Sequence, residues 1–150
     1  MFGKSFEFRQ HQLNAIKQIV ENAISKTKQT VLEAPTGSGK SVIGIIAAYV
    51  LYKLYGKKSY ILVSDLSLFD QYENDIRNLH VNCFGCIKGK ENYKCLNNGC
   101  RVSQSTCSLK GVSVKSLMYN ADPMFSCASR CQYVHDYSKA VNSPITLMTY

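Results

Sequence analysis

The amino-acid sequence predicts an α/β domain built on a parallel sheet and interrupted by a cysteine-rich insertion. Helical and strand-like apolar patterns alternate through residues 1–82, and a glycine-rich turn joins the first strand-like run to an apolar helix. All seven cysteines then fall between residues 83 and 131, after which the alternation resumes. An order of helix, strand, helix, strand, helix is what crossover-connected parallel strands produce.

From Phe8 to about Ile24, apolar residues recur at Leu13, Ile16, Ile19, Val20, Ala23 and Ile24, a helical stripe. Gln29–Ala34 reads as a short strand ending at Pro35. Ser41–Tyr55 is apolar on almost every side and stops before Gly56, which predicts a buried helix with a glycine cap. Tyr60–Ser64 is a continuous apolar run, as a strand covered on both faces requires. Ser67 is placed to cap a further helix through about Leu79, with Asp70 near its positive end. Residues 83–131 carry no long periodic segment and need a staple in place of a core. From about Tyr133 a short helix is expected, then a buried strand Ile145–Tyr150 after Pro144. The segments are therefore 1–82, the insertion 83–131, and a return to the first unit at 132–150.

Bulk properties narrow the function. At 150 residues, 45% hydrophobic and 19% charged, the chain holds enough apolar material for one core. Its net charge of +8 favours a polyanionic partner. Met1–Arg9 is charged and lacks the apolar stretch of a secretory signal, and Val42–Tyr52 falls short of the roughly 20 residues that cross a bilayer. We expect a cytoplasmic protein with no membrane partner. Seven thiols in a reducing compartment point to metal ligation, not to disulfides.

Ala34-Pro35-Thr36-Gly37-Ser38-Gly39-Lys40-Ser41 matches the phosphate-binding loop pattern in all but its first glycine. Glycines let backbone N–H groups turn inward around phosphate oxygens, and a helix N-terminus adds partial positive charge. The expected ligands are ATP and Mg²⁺, held by Thr36, Gly37, Ser38, Gly39, Lys40 and Ser41. Lys40 would reach the β- and γ-phosphates, and the Ser41 hydroxyl the Mg²⁺.

The cysteines are spaced as Cys83-x2-Cys86, Cys95, Cys100, Cys107, Cys127 and Cys131. Thiolates at such positions converge either on a [4Fe–4S] cluster or on tetrahedral zinc, and spacing alone does not choose. The insertion carries seven basic residues (Lys88, Lys90, Lys94, Arg101, Lys110, Lys115, Arg130) against Glu91 and Asp122, with Tyr93, Tyr119 and Phe125 interleaved. That mixture suits a nucleic-acid backbone and a stacked base, and equally a solvated basic surface.

The wording of the loop resembles motif I of superfamily 2 helicases. Phe8-Arg9-Gln10-His11-Gln12 looks like that family's Arg-x-x-Gln adenine-recognition element, which implies that Gln12 reads the adenine edge and Phe6 or Phe8 stacks on it. Ile61–Gln71 resembles motif Ia, making Ser64 and Gln71 candidates for strand contact, although Asp65 departs from the usual Thr or Arg. Lys88-Gly89-Lys90-Glu91-Asn92-Tyr93-Lys94-Cys95 looks like the opening signature of the iron–sulfur domain of XPD/DinG-like helicases, and Cys131-Gln132-Tyr133 resembles its close, with Gln132 in place of proline. The resemblance implies a partial RecA-like domain and a [4Fe–4S] cluster on Cys95, Cys107, Cys127 and Cys131. Cys100 is the alternative second ligand, and Cys83 and Cys86 are left spare.

The same resemblance implies a 5′→3′ DNA helicase acting on a single strand or fork junction. No Asp-Glu pair occurs in the 150 residues. The Asp-Glu-x-His box of the family is therefore missing, and we expect an incomplete, non-catalytic portion, with the rest supplied by further sequence or a second chain. The competing expectations are a zinc-binding nucleic-acid module with a vestigial phosphate loop, and another phosphate-loop ATPase such as a kinase or recombinase-like protein.

Overall fold

The computed structural model describes residues 7–25, 29–119 and 126–150. Phe6 and Phe125, two of the expected stacking residues, lie outside these.

The described chain runs α1 (Gln10–Ile24), α2 (Lys40–Tyr55), β1 (Ser59–Val63), α3 (Leu66–Asn78), β2 (Phe84–Ile87), α4 (Thr106–Leu109), α5 (Val114–Tyr119), α6 (Gln132–Asn142) and β3 (Ile145–Thr149). The three strands form one parallel sheet in the order β1-β3-β2. Ser59 and Phe84 both pair with Ile145, so the last strand in sequence lies at the centre.

One face of the sheet makes the main core. Ile145 and Leu147 are fully buried there with Val63 and Phe84, against Ile45 and Ala48 of α2 and Phe69 and Ile76 of α3. Each of these side chains larger than alanine contributes about 1.5–3 kcal/mol by leaving water. On the opposite face α6 lies on β2, and the Thr146 hydroxyl donates to the Ala140 carbonyl at 2.9 Å. A second cluster joins α1 to α2 through Ile16, Val20, Ile43 and Ala47. The helix α2 ends as its sequence requires. Gly56 is left-handed at φ 62°, and the N–H groups of Gly56 and Lys57 close on Tyr52 and Leu51.

Three expectations are corrected. Residues 29–34 form no strand: among the described residues they have no ladder partner, and Val31 is 91% exposed. An extended segment without a neighbour has nowhere to place its backbone hydrogen bonds except water. Asp65, not Ser67, caps α3. Its carboxylate accepts from Leu68 N–H at 2.9 Å, while Ser67 Oγ donates to the same oxygen at 2.7 Å. Finally, the start of the cysteine-rich segment joins the sheet as β2, so Cys83 and Cys86 pack against the core. No helix among the described residues is long and apolar enough to cross a membrane.

Candidate functional site

The loop before α2 is a concave turn. Gly37 and Gly39 are left-handed at φ 78° and 83°, on either side of Ser38, an arrangement that curls successive N–H groups towards one side. Gly39 is the residue that caps the N-terminus of α2. A Cβ at Gly39 would collide with Gln12 Nε2, the end of a side chain that can yield only by leaving Ser38 O, so the left-handed conformation is the first reason for glycine there. Ser38 is 8% exposed, and its hydroxyl has no hydrogen-bond partner. A buried hydroxyl without a partner costs about 1–3 kcal/mol unless a ligand satisfies it. Lys40 Nζ bonds the carbonyls of Ala34 and Pro35 at 2.9 and 3.0 Å, which holds its charge across the mouth of the turn.

A cavity of about 410 Å³ opens beside this loop, lined by Thr36, Gly37 and Ser38 with Arg9, His11, Ala15, Leu32 and Ile43. Gln12 is 6% exposed, and it is engaged by protein. Its Oε1 accepts from Arg9 N–H at 3.0 Å and its Nε2 donates to Ser38 O at 3.0 Å. The carboxamide therefore ties the first turn of α1 to the loop. Arg9, the arginine of the Arg-x-x-Gln element, and His11, which was given no role from the sequence, line the cavity instead. Ser41 is buried, and its hydroxyl donates to Asp75 Oδ2 on α3 at 2.6 Å. Ser64 and Gln71, the motif Ia candidates, are exposed.

In the insertion, Cys95, Cys107, Cys127 and Cys131 line one small cavity with Leu96, Val102, Leu117, Ala128 and Val134. Burial first, and then the neighbouring Cys95, Cys107 and Cys131, push the Cys127 thiol above its ordinary range. The backbone builds this convergence. Cys95 N–H bonds Cys100 O at 2.7 Å, and Lys94 bridges Arg101 antiparallel, closing a short loop. Cys100 is turned to Asn98 Oδ1, at 2.8 Å from its sulfur. Cys83 and Cys86 sit at β2; burial raises both thiols, that of Cys86 to about 11.

Among the described residues, no three His, Cys, Asp or Glu side chains are grouped to hold a metal ion. The four thiols thus surround a cavity but do not meet at a point. The donor set, four thiols and no carboxylate or imidazole, is one that a tetrahedral zinc ion and an iron–sulfur cube both take.

Tyr93, expected to stack on a base, is instead a tie within the fold. Its hydroxyl donates to Asp136 Oδ2 at 3.1 Å and accepts from Lys88 N–H at 3.1 Å, and its ring meets Tyr133 edge-on at 5.2 Å. Lys88 pairs with Asp70, and Arg101 with Glu91. Lys94, Lys115 and Arg130 are exposed.

A family model described as "Type III restriction enzyme, res subunit" (ResIII) matches residues 5–139. A protein of Sulfolobus islandicus filamentous virus (isolate Iceland/Hveragerdi) named "Putative helicase 22" is 38% identical over 72 residues. That stretch is 47% of this chain and 13% of the viral protein, so the match spans a small part of the relative's length. No solved structure matches.

Proposed function

Because the chain belongs to the ResIII family, a helicase-like domain of superfamily 2, we propose that it is the ATP-binding N-terminal portion of a DNA helicase of the XPD/DinG-like iron–sulfur type. The observation that carries this is the turn at Thr36–Ser41: two left-handed glycines, a buried hydroxyl without a partner, and a cavity of about 410 Å³ alongside. In this reading the loop amides and Ser38 hold the phosphates, Lys40 exchanges its two carbonyl partners for phosphate oxygens, and Ser41 serves the divalent cation. Bound Mg²⁺ supplies charge neutralisation at the phosphates. Arg9, His11 and Leu32 offer the wall for the base, with Gln12 holding that wall to the loop.

The [4Fe–4S] assignment to Cys95, Cys107, Cys127 and Cys131 rests on their shared cavity and on Cys100 being turned elsewhere. Its role here is structural: it staples a segment with little core of its own. The exposed Lys94, Lys115 and Arg130 are the groups we assign to a single-stranded or forked DNA backbone, with 5′→3′ movement following the resemblance. Without an Asp-Glu pair, these 150 residues alone should turn over ATP negligibly; the missing carboxylates come from further sequence or a second chain.

Titration with a fluorescent ATP analogue in Mg²⁺ tests the reading. The chain should bind, and Lys40→Ala should weaken binding about 10–100-fold, the worth of a charge-assisted contact. No binding by the unmodified chain, or equal binding by the variant, would remove the proposal.

A further inference from the structure

The hydroxyl of Ser41 is committed to a side chain far away in sequence. Ser41 is the second residue of α2 and is 7% exposed; Asp75 is in the last turn of α3, half-buried, and accepts its proton at 2.6 Å. One turn further along α2 and one turn back along α3, the Tyr72 hydroxyl lies 3.9 Å from where a Cβ on Gly44 would stand. The two pairs, 41 with 75 and 44 with 72, run in opposite order along the two helices. This contact brings a carboxylate from α3 to the start of α2.

We infer that Asp75 is a positioning residue of the nucleotide site, holding Ser41 as a hydrogen-bond donor so that its oxygen is left as an acceptor for a divalent cation. The inference rests on the nucleotide reading above. A serine hydroxyl has one proton and two lone pairs. With the proton fixed on Asp75, the rotor is locked and only lone pairs remain to be used. A hydrogen-bonded carboxylate behind a ligand oxygen raises its basicity, and such outer partners are worth about 10–100-fold in metal affinity. The carboxylate also adds negative charge near the site, which favours a cation whatever its exact position. Asp75 thereby gives these residues an acidic partner for the loop hydroxyl, although they contain no Asp-Glu pair.

The test compares affinity for a fluorescent ATP analogue in EDTA and across a Mg²⁺ titration, for the unmodified chain, Asp75→Ala, Asp75→Asn, Ser41→Ala and the Ser41→Ala/Asp75→Ala pair. Urea unfolding of each variant shows that the fold is kept. Asp75→Ala should raise the Mg²⁺ needed for half-maximal gain by about 10–100-fold. Asp75→Asn, which keeps the shape and an acceptor oxygen, should fall between. In the Ser41→Ala background the alanine at 75 should add nothing, because the two act as one unit. An unchanged Mg²⁺ midpoint in Asp75→Ala, or full additivity in the pair, would overturn this inference while leaving nucleotide binding intact. Absence of nucleotide binding in the unmodified chain would overturn the broader reading and this one with it.

Discussion

Gln12 fills the space that a side chain on Gly39 would occupy. Gln12 belongs to α1 and Gly39 is the cap residue before α2, so their contact fixes α1 against the loop. Replacing Gly39 by alanine therefore meets two penalties, a left-handed backbone at φ 83° and a collision with the carboxamide. We expect a loss of about 2–4 kcal/mol from strain and overpacking together. Gly37→Ala, at φ 78° with open space around it, should lose only the backbone part, about 1–2 kcal/mol. Urea denaturation of both variants checks this. Adding Gln12→Ala to Gly39→Ala should restore part of the loss; equal effects at 37 and 39 would show that no such wedge exists.

A similar close approach holds the other side of the sheet. A Cβ on Gly85 would lie 2.5 Å from Ala140 Cα and 2.8 Å from Lys139 O, all backbone. Backbone yields less readily than a side-chain tip, so Gly85→Ala should push α6 off β2 and cost about 1–3 kcal/mol. The expected readout is a lower urea midpoint, together with faster amide exchange in α6 than in α2. A variant as stable as the parent would mean that α6 does not sit on β2 at this distance.

These two glycines show where sequence reasoning reached and where it stopped. The helices α1 and α2, the strands β1 and β3, and the left-handed loop glycines were legible because period, apolar runs and punctuation agree locally at Ile16, Val20, Gly37, Gly39 and Gly56. The strand β1 is nevertheless not covered on both faces as its apolar run predicted, since Tyr60 and Leu62 are 65% and 59% exposed. The segment 29–34 looked like a strand by composition, but a strand exists only with a ladder partner, and composition does not report partners. The strand β2 was hidden by its shortness and by the cysteines at 83 and 86, which placed it inside the cysteine-rich insertion. Asp75 was unreadable: its bond to Ser41 spans 34 residues, and no local pattern marks it. The convergence of Cys95, Cys107, Cys127 and Cys131 was suggested by a resemblance, not by spacing, which left Cys100 open.

The cysteines divide into two sets with different expected behaviour. After anaerobic reconstitution with iron and sulfide, the chain should hold iron and absorb in the visible. Serine at 95, 107, 127 or 131 should each abolish or sharply reduce iron content, since those four line the common cavity. Serine at 83, 86 or 100 should leave it unchanged. Bound zinc in place of iron, or equal losses at Cys100 and Cys107, would reject the assignment.

Cys86 gives the pH-dependent prediction. Its thiol is pushed up to about 11, first by burial at β2 and then by the carboxylate of Glu73, with Lys139 and Arg77 pulling the other way. The ordinary value is 9.0, so the folded state keeps a proton that the unfolded chain gives up. The sign follows: this contribution to stability is fully present below pH 9 and is lost as pH climbs towards 11. At most about 2 kcal/mol is at stake, the linkage value of a shift of that size discounted for partial exposure. Other buried groups titrate over the same range, including Cys83 and Tyr72, so the parent must be compared with Cys86→Ala. The stability difference between the two proteins should narrow steadily from pH 9 upward. Removing the repelling charge with Glu73→Gln should lower the folded value, so that the narrowing still begins near pH 9 but ends sooner and is smaller. A gap independent of pH would mean that the Cys86 thiolate is as well accommodated in the folded chain as in water.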